Sequence, residues 1–330
     1  MIASTPVARW TWGEFIEGVD PLVRSLGDLM AARSVLASHR FALGVPTFRL
    51  AISEAGMPPG TPPGTPAGML FQGGLTATGS AEELAGAIRS ATRPGHIGSV
   101  DAQCSVAASL STGATETRTE GVFDLTVVVD PSFATVDLIT YSDAWMRYDL
   151  RGRAQSAVYE ANAPRLASVL AELTEVLGSD MDPEDPTYFG TPTETGVVPH
   201  VDQDGTPSDS WSRYEVARRY DVFTHAPGFG HIGYRRSVPG EVRYVPVTDD
   251  RGVLGYLWAS ETEPAASFEP LDLDDDERYR TALTWLDRLR SASDRGLAPC
   301  QALTELTGRS LSDTEGPVGL AELRARAEDV

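Results

Sequence analysis

The chain has 330 residues, 41% hydrophobic and 22% charged, a globular composition that excludes a wholly disordered protein. Its 27 basic residues are all arginine, and against 47 acids they leave a net charge of −20. This balance argues against nucleic acid and anionic membranes as direct partners, and the absence of lysine excludes Schiff-base and P-loop chemistry.

In chain order, Thr11-Trp12-Gly13-Glu14 has capping-box spacing and predicts a helix start. Asp20-Pro21 predicts a second, followed by Leu22, Leu26, Leu29, Met30 and Leu36 along one face. A short strand is expected over 47–52, and the proline-rich stretch 57–68 is expected to be an exposed loop. Ser80-Ala81-Glu82-Glu83 opens another capped helix, stopped by Pro94-Gly95. Alternation then predicts three antiparallel strands across 100–141, with Val100, Ala102, Cys104, Val106, Phe123, Leu125, Val127 and Val129 facing one core. A helical stripe of Leu166, Val169, Leu170, Leu173, Val176 and Leu177 is expected to cover that face.

Over 179–210 the periodicity stops. The stretch has eight acids, no arginine, five prolines and three glycines, and reads as a structureless functional loop or linker. Beyond it, strands are expected over 218–224 and 230–235, then a hairpin of 242–247 and 253–259. Asp274-Asp275-Asp276-Glu277 begins a helix striped by Tyr279, Ala282, Leu283, Leu286 and Leu289. A short helix over 299–306 and a last exposed one over 319–327 complete the pattern. The fold class is α+β, antiparallel sheets covered by helices, in two units: 1–178 with the meander, an acidic connection at 179–215, and a smaller unit at 216–330.

No run approaches the ~18 apolar residues of a membrane span, and the first residues lack signal-peptide features, so the chain is expected to be cytoplasmic. Cys104 and Cys300 stand far apart and read as small hydrophobes rather than a disulfide or nucleophile. There is no HExxH, CxxC or GxSxG motif. A metal site would have to be assembled from His225 and His231 with Asp221 or Asp202, at a spacing that matches no zinc signature. Asp202-Gln203-Asp204-Gly205 resembles part of a calcium loop, but Trp211 stands where an EF-hand needs glutamate, so a solvated turn is the better reading. No catalytic residue, metal or cofactor is therefore assigned.

Aromatic residues accompany charge at 141–149, at Tyr188-Phe189 and at Trp211-Ser212-Arg213-Tyr214. Trp145 and Trp211 can plug a seam between the two units, or such residues can serve recognition, since Trp, Tyr and Arg are the usual interface anchors. The candidate partner-binding set is Asp180, Asp182, Glu184, Asp185, Tyr188, Phe189, Asp202, Asp204, Trp211 and Arg213.

The run Asp185-Pro186-Thr187-Tyr188-Phe189-Gly190-Thr191-Pro192-Thr193-Glu194-Thr195-Gly196, and the hairpin from Tyr244-Val245-Pro246-Val247 to Gly255-Tyr256-Leu257-Trp258-Ala259-Ser260, resemble segments of uncharacterised proteins of high-GC bacteria. That likeness covers about the last two-thirds of the chain and implies no activity that can be named. In general character the chain also resembles immunity proteins of polymorphic toxin systems, which are cytosolic, acidic, α+β and without a catalytic motif. The expected function is a non-enzymatic immunity or inhibitor protein that neutralises a basic protein effector. The alternatives are a chaperone or adaptor of a secretion or assembly apparatus, and an enzyme with a carboxylate- or metal-dependent site at His200, Asp202, His225 and His231.

Overall fold

The computed structural model describes residues 1–55, 68–113, 115–223, 238–310 and 313–328. They fall into two units, Met1–Trp211 and Ser212–Val330. The expected strand at 230–235, most of the proline-rich stretch, His225 and His231 lie outside the described residues.

The first unit runs β1 (Ala8–Phe15), α1 (Pro21–Ser38), β2 (Thr47–Glu54), β3 (Met69–Thr76), α2 (Ala81–Ala91), β4 (Ile97–Ser111), β5 (Glu116–Val129) and β6 (Phe133–Thr140). It continues with α3 (Ser156–Leu177), β7 (Met181–Pro183), β8 (Gly190–Thr193) and β9 (Gly196–Pro199). The first seven strands form one antiparallel sheet in the order β3-β2-β4-β5-β6-β1-β7. The meander occupies its centre, and the eight residues expected to face the core are all buried. Phe41, Phe123 and Trp145 pack ring to ring at centroid distances of 5.1 to 5.5 Å, which places Trp145 in the core of this unit.

The covering helix differs from expectation. Leu166, Val169, Leu170, Leu173 and Leu177 are buried, but α1 lies across β4 and β5, while α3 packs mainly beside α1. Val176 is exposed and leaves the stripe. The physical reason is that α1 buries Leu22, Leu26, Leu29, Ala32, Val35 and Leu36, a wider apolar face than α3 presents to the sheet. Asp20 caps α1 by accepting from the Leu22 and Val23 N–H groups, and Ser80 with Glu83 closes a capping box on α2.

Thr11–Glu14 is strand, not a helix start. Trp10 and Trp12 are both buried, which is the period of a strand. Their indole N–H groups donate to Thr193 O at 2.8 Å and Thr174 Oγ1 at 2.9 Å. The would-be capping residues are engaged elsewhere: Thr11 Oγ1 lies 2.6 Å from Asp137 Oδ1, and Glu14 pairs with Arg24. Nor is 179–210 structureless, because β7 pairs with β1 at the sheet edge and β8 and β9 form a hairpin.

A π-helical turn at Trp211–Val216 leads into α4 (Ala217–Phe223). The second unit continues with β10 (Glu241–Asp249), β11 (Gly252–Ser260), β12 (Ala266–Pro270), α5 (Asp276–Asp294), α6 (Pro299–Thr307), β13 (Glu315–Gly319) and α7 (Leu320–Glu328). Its antiparallel sheet has the order β12-β11-β10-β13 and is apolar on both faces. Val245, Leu257 and Phe268 pack with Leu286 and Leu289 of α5, while Val242, Tyr244 and Trp258 pack with Leu320 and Leu323 of α7. The last helix is thus half-buried rather than exposed. The strand expected over 218–224 is α4, because Arg219 and Phe223, four residues apart, are the buried pair. Cys104 is buried and Cys300 half-buried, and both are free thiols. Among the described residues no helix is long and apolar enough to cross a membrane.

Candidate functional site

The segment 179–210 is fastened to the first unit by backbone and side-chain bonds. Thr11↔Asp182 is the central pair of β1 with β7, and Thr187 Oγ1 donates to Val7 O at 2.8 Å. The hairpin of β8 and β9 is held by the Trp10 indole on Thr193 O. The ring of His200 then meets Thr187 O at 2.8 Å, joining the two ends of the hairpin. A second turn follows at 201–207: the Asp202 N–H donates to Thr206 O at 2.8 Å and the Gly205 N–H to Asp202 O at 2.9 Å. Gly205 has φ +83°, a left-handed conformation that favours glycine. The Asp202–Gly205 string is therefore a turn, with Asp204 accepting from the Thr206 hydroxyl at 2.7 Å.

What this scaffold presents is mixed in charge and apolarity. Asp180, Asp182, Asp185, Glu194, Asp204 and Asp209 are exposed, and Glu184 and Asp202 are half-buried. Among them Tyr188 is 66% exposed, Val201 61% and Val198 53%. The Thr206 hydroxyl and N–H bonds hold the Asp204 carboxyl below the usual carboxylate range, so it stays charged at neutral pH. Sequence reasoning missed Val198 and Val201, whose signal was two valines placed among prolines and acids in a polar stretch.

Two of the expected recognition residues require correction. Phe189 is 2% exposed and belongs to the core, with its N–H on Thr187 Oγ1 at 3.1 Å. Trp211 is fully buried, with its N–H on Leu150 O at 2.8 Å and the Arg151 guanidinium 5.6 Å over its ring. Neither ring can anchor a partner without unpacking. Arg213 is exposed and lies just after the division between the units. Of the residues named for a metal or acid–base site, His200 is committed to the Thr187 carbonyl, and His225 and His231 lie outside the described residues. Among the described residues no group of three or more His, Cys, Asp or Glu is arranged to hold a metal ion.

The chain matches no protein-family model, no curated protein and no solved structure.

Proposed function

We propose that this chain is a non-enzymatic cytoplasmic binding protein, of the immunity or inhibitor type, that neutralises a basic protein effector through the surface built on β7, β8, β9 and the turn at 201–207. The observation that supports the reading is the exposure of Tyr188, Val198 and Val201 in a stretch, 179–210, that carries eight acids and no arginine. Exposed apolar side chains interspersed with acids match the composition of an interface, in which a desolvated centre supplies affinity and the rim supplies partner choice. Asp182, Asp185 and Asp204 steer a cationic partner toward this face, and the net charge of −20 extends the attraction beyond contact range. The two unbridged cysteines agree with a reducing compartment.

The test is affinity capture from the native host with the wild-type chain beside two variants, Tyr188→Ala and Asp182→Arg/Asp185→Arg. A stoichiometric basic protein should be held by the wild type and lost by both variants. Capture of no stoichiometric partner, or of one that both variants retain, contradicts the proposal.

A further inference from the structure

On the face of the first unit's sheet opposite the buried Phe48, Leu50 and Ile52 there is a depression of about 460 Å³ over β2, β3 and β4. The strand register explains why a sheet is hollow here. Gly74, Arg49 and Gln103 lie side by side in one cross-strand row, and Gln72, Ala51 and Asp101 in the next. Directly opposed side chains in such rows stand about 4.5–5.5 Å apart, so each position normally fills its share of the surface. Gly74 and Ala51 are diagonal neighbours with no side chain beyond a methyl, and they form the floor. Arg49, Gln72, Gln103 and Asp101 rise around them as a rim.

The backbone does not need glycine at residue 74. Its φ is not in the left-handed region, and an added Cβ would meet only Phe48 O at 3.7 Å, an ordinary contact. Glycine within a strand forfeits packing, so its presence here without a backbone reason points to space being kept open.

The rim carries two opposite charges that do not satisfy each other. Asp101 Oδ1 is buried, and no group of the described residues donates a hydrogen bond to it. A carboxylate oxygen left in this state costs free energy, which a ligand's donor recovers when the Asp101 side chain turns that oxygen toward the depression. Arg49 is exposed, and no carboxylate of the described residues lies within ion-pair distance of it. An anion alone would meet Asp101, and a cation alone would meet Arg49. A molecule carrying both charges on neighbouring atoms satisfies both, with the side-chain amides of Gln72 and Gln103 able to donate or accept beside it.

We infer that this depression binds a small zwitterion, its carboxylate on Arg49 and its ammonium on Asp101, as offered by a free α-amino acid or a short peptide. The site is separate from the acidic surface, and neither proposal depends on the other.

Calorimetric titration of the full chain with the standard α-amino acids and a set of dipeptides tests this. At least one should bind saturably, and N-acetylation or amidation of that ligand should each weaken binding about tenfold or more. Arg49→Gln and Asp101→Asn should weaken the unblocked ligand to a similar degree, while Gly74→Val should abolish binding by filling the floor. Circular dichroism and urea unfolding of each variant establish that the fold is retained, and the two rim variants carry the test if Gly74→Val does not fold. Whether free amino acids or dipeptides bind more tightly identifies the source of the shared chemistry. No saturable heat with any probe, or binding unchanged by blocking either charge and by both rim variants, overturns the inference.

Discussion

Tyr141 follows the meander, and its hydroxyl donates to Asp124 Oδ2 at 3.0 Å. Burial first, and then the charge and hydrogen bond of Asp124, push its hydroxyl up to about 12. Because the folded value lies above the ordinary value of 10.0, the neutral phenol favours the fold. That contribution is complete below pH 10 and is lost as pH rises toward 12. Urea unfolding at a series of alkaline pH values should show wild-type stability falling through this window more steeply than that of Tyr141→Phe. Absorbance of tyrosinate should report the same late titration, and identical slopes for the two proteins would refute the assignment. A different use of polar chemistry holds the second unit. Arg219 is 3% exposed, with Nε on Glu215 at 2.9 Å, Nη1 on Leu273 O at 3.0 Å and Nη2 on Asp276 at 2.5 Å. The Tyr279 ring lies 4.6 Å from its guanidinium carbon, so a fully engaged cation takes the place of a core hydrophobe.

Among the elements, α3 offers the sharpest contrast between its two faces. Leu173 is fully buried and Glu175 exposed, so Leu173→Ala should cost about 2–5 kcal/mol and Glu175→Ala under about 0.5 kcal/mol in chemical unfolding. Equal losses would contradict the packing described. The elements legible in the sequence were those with long, regular periods: α1, α2, the meander, the hairpin of β10 and β11, and α5. Where two local signals competed, burial decided between them. Thr11 and Glu14 have the spacing of a capping box, but the alternation of Trp10 and Trp12 buries two indoles, far more apolar surface than one helix cap can offset. At α4 the period was hidden because the first of its two buried residues is an arginine, which no apolar count includes. β7, β8 and β9 are only three or four residues long, too short for alternation to register. Of the candidate surface, its acids and Tyr188 were legible. Phe189 and Trp211 were not, since an aromatic beside charges reads alike in a core and at an interface. The hollow over β2 to β4 depends on cross-strand register, which no single segment of sequence displays.

At the scale of the molecule, one of the chain's arginine-free acidic stretches, 179–210, lies where the first unit's sheet ends. β7 closes that edge with Asp182 in register with Thr11, and beyond it Tyr188 precedes the hairpin, Val198 lies on β9 and Val201 opens the turn. Bonds from Val7, Trp10 and Thr187 hold this segment in one arrangement, so little ordering entropy remains to be lost when a partner docks. On the proposed function, electrostatic attraction acts chiefly on the approach of the partner, and the exposed apolar side chains on its residence time. The decisive measurement is the association rate constant for the captured partner as a function of ionic strength, for wild type and for Asp182→Asn/Asp185→Asn/Asp204→Asn. The rate for wild type should fall about tenfold or more between low and high salt, and the triple variant should start slower and depend less on salt. A wild-type rate indifferent to salt, or a triple variant that associates as the wild type does, would contradict recognition of a basic partner by this surface.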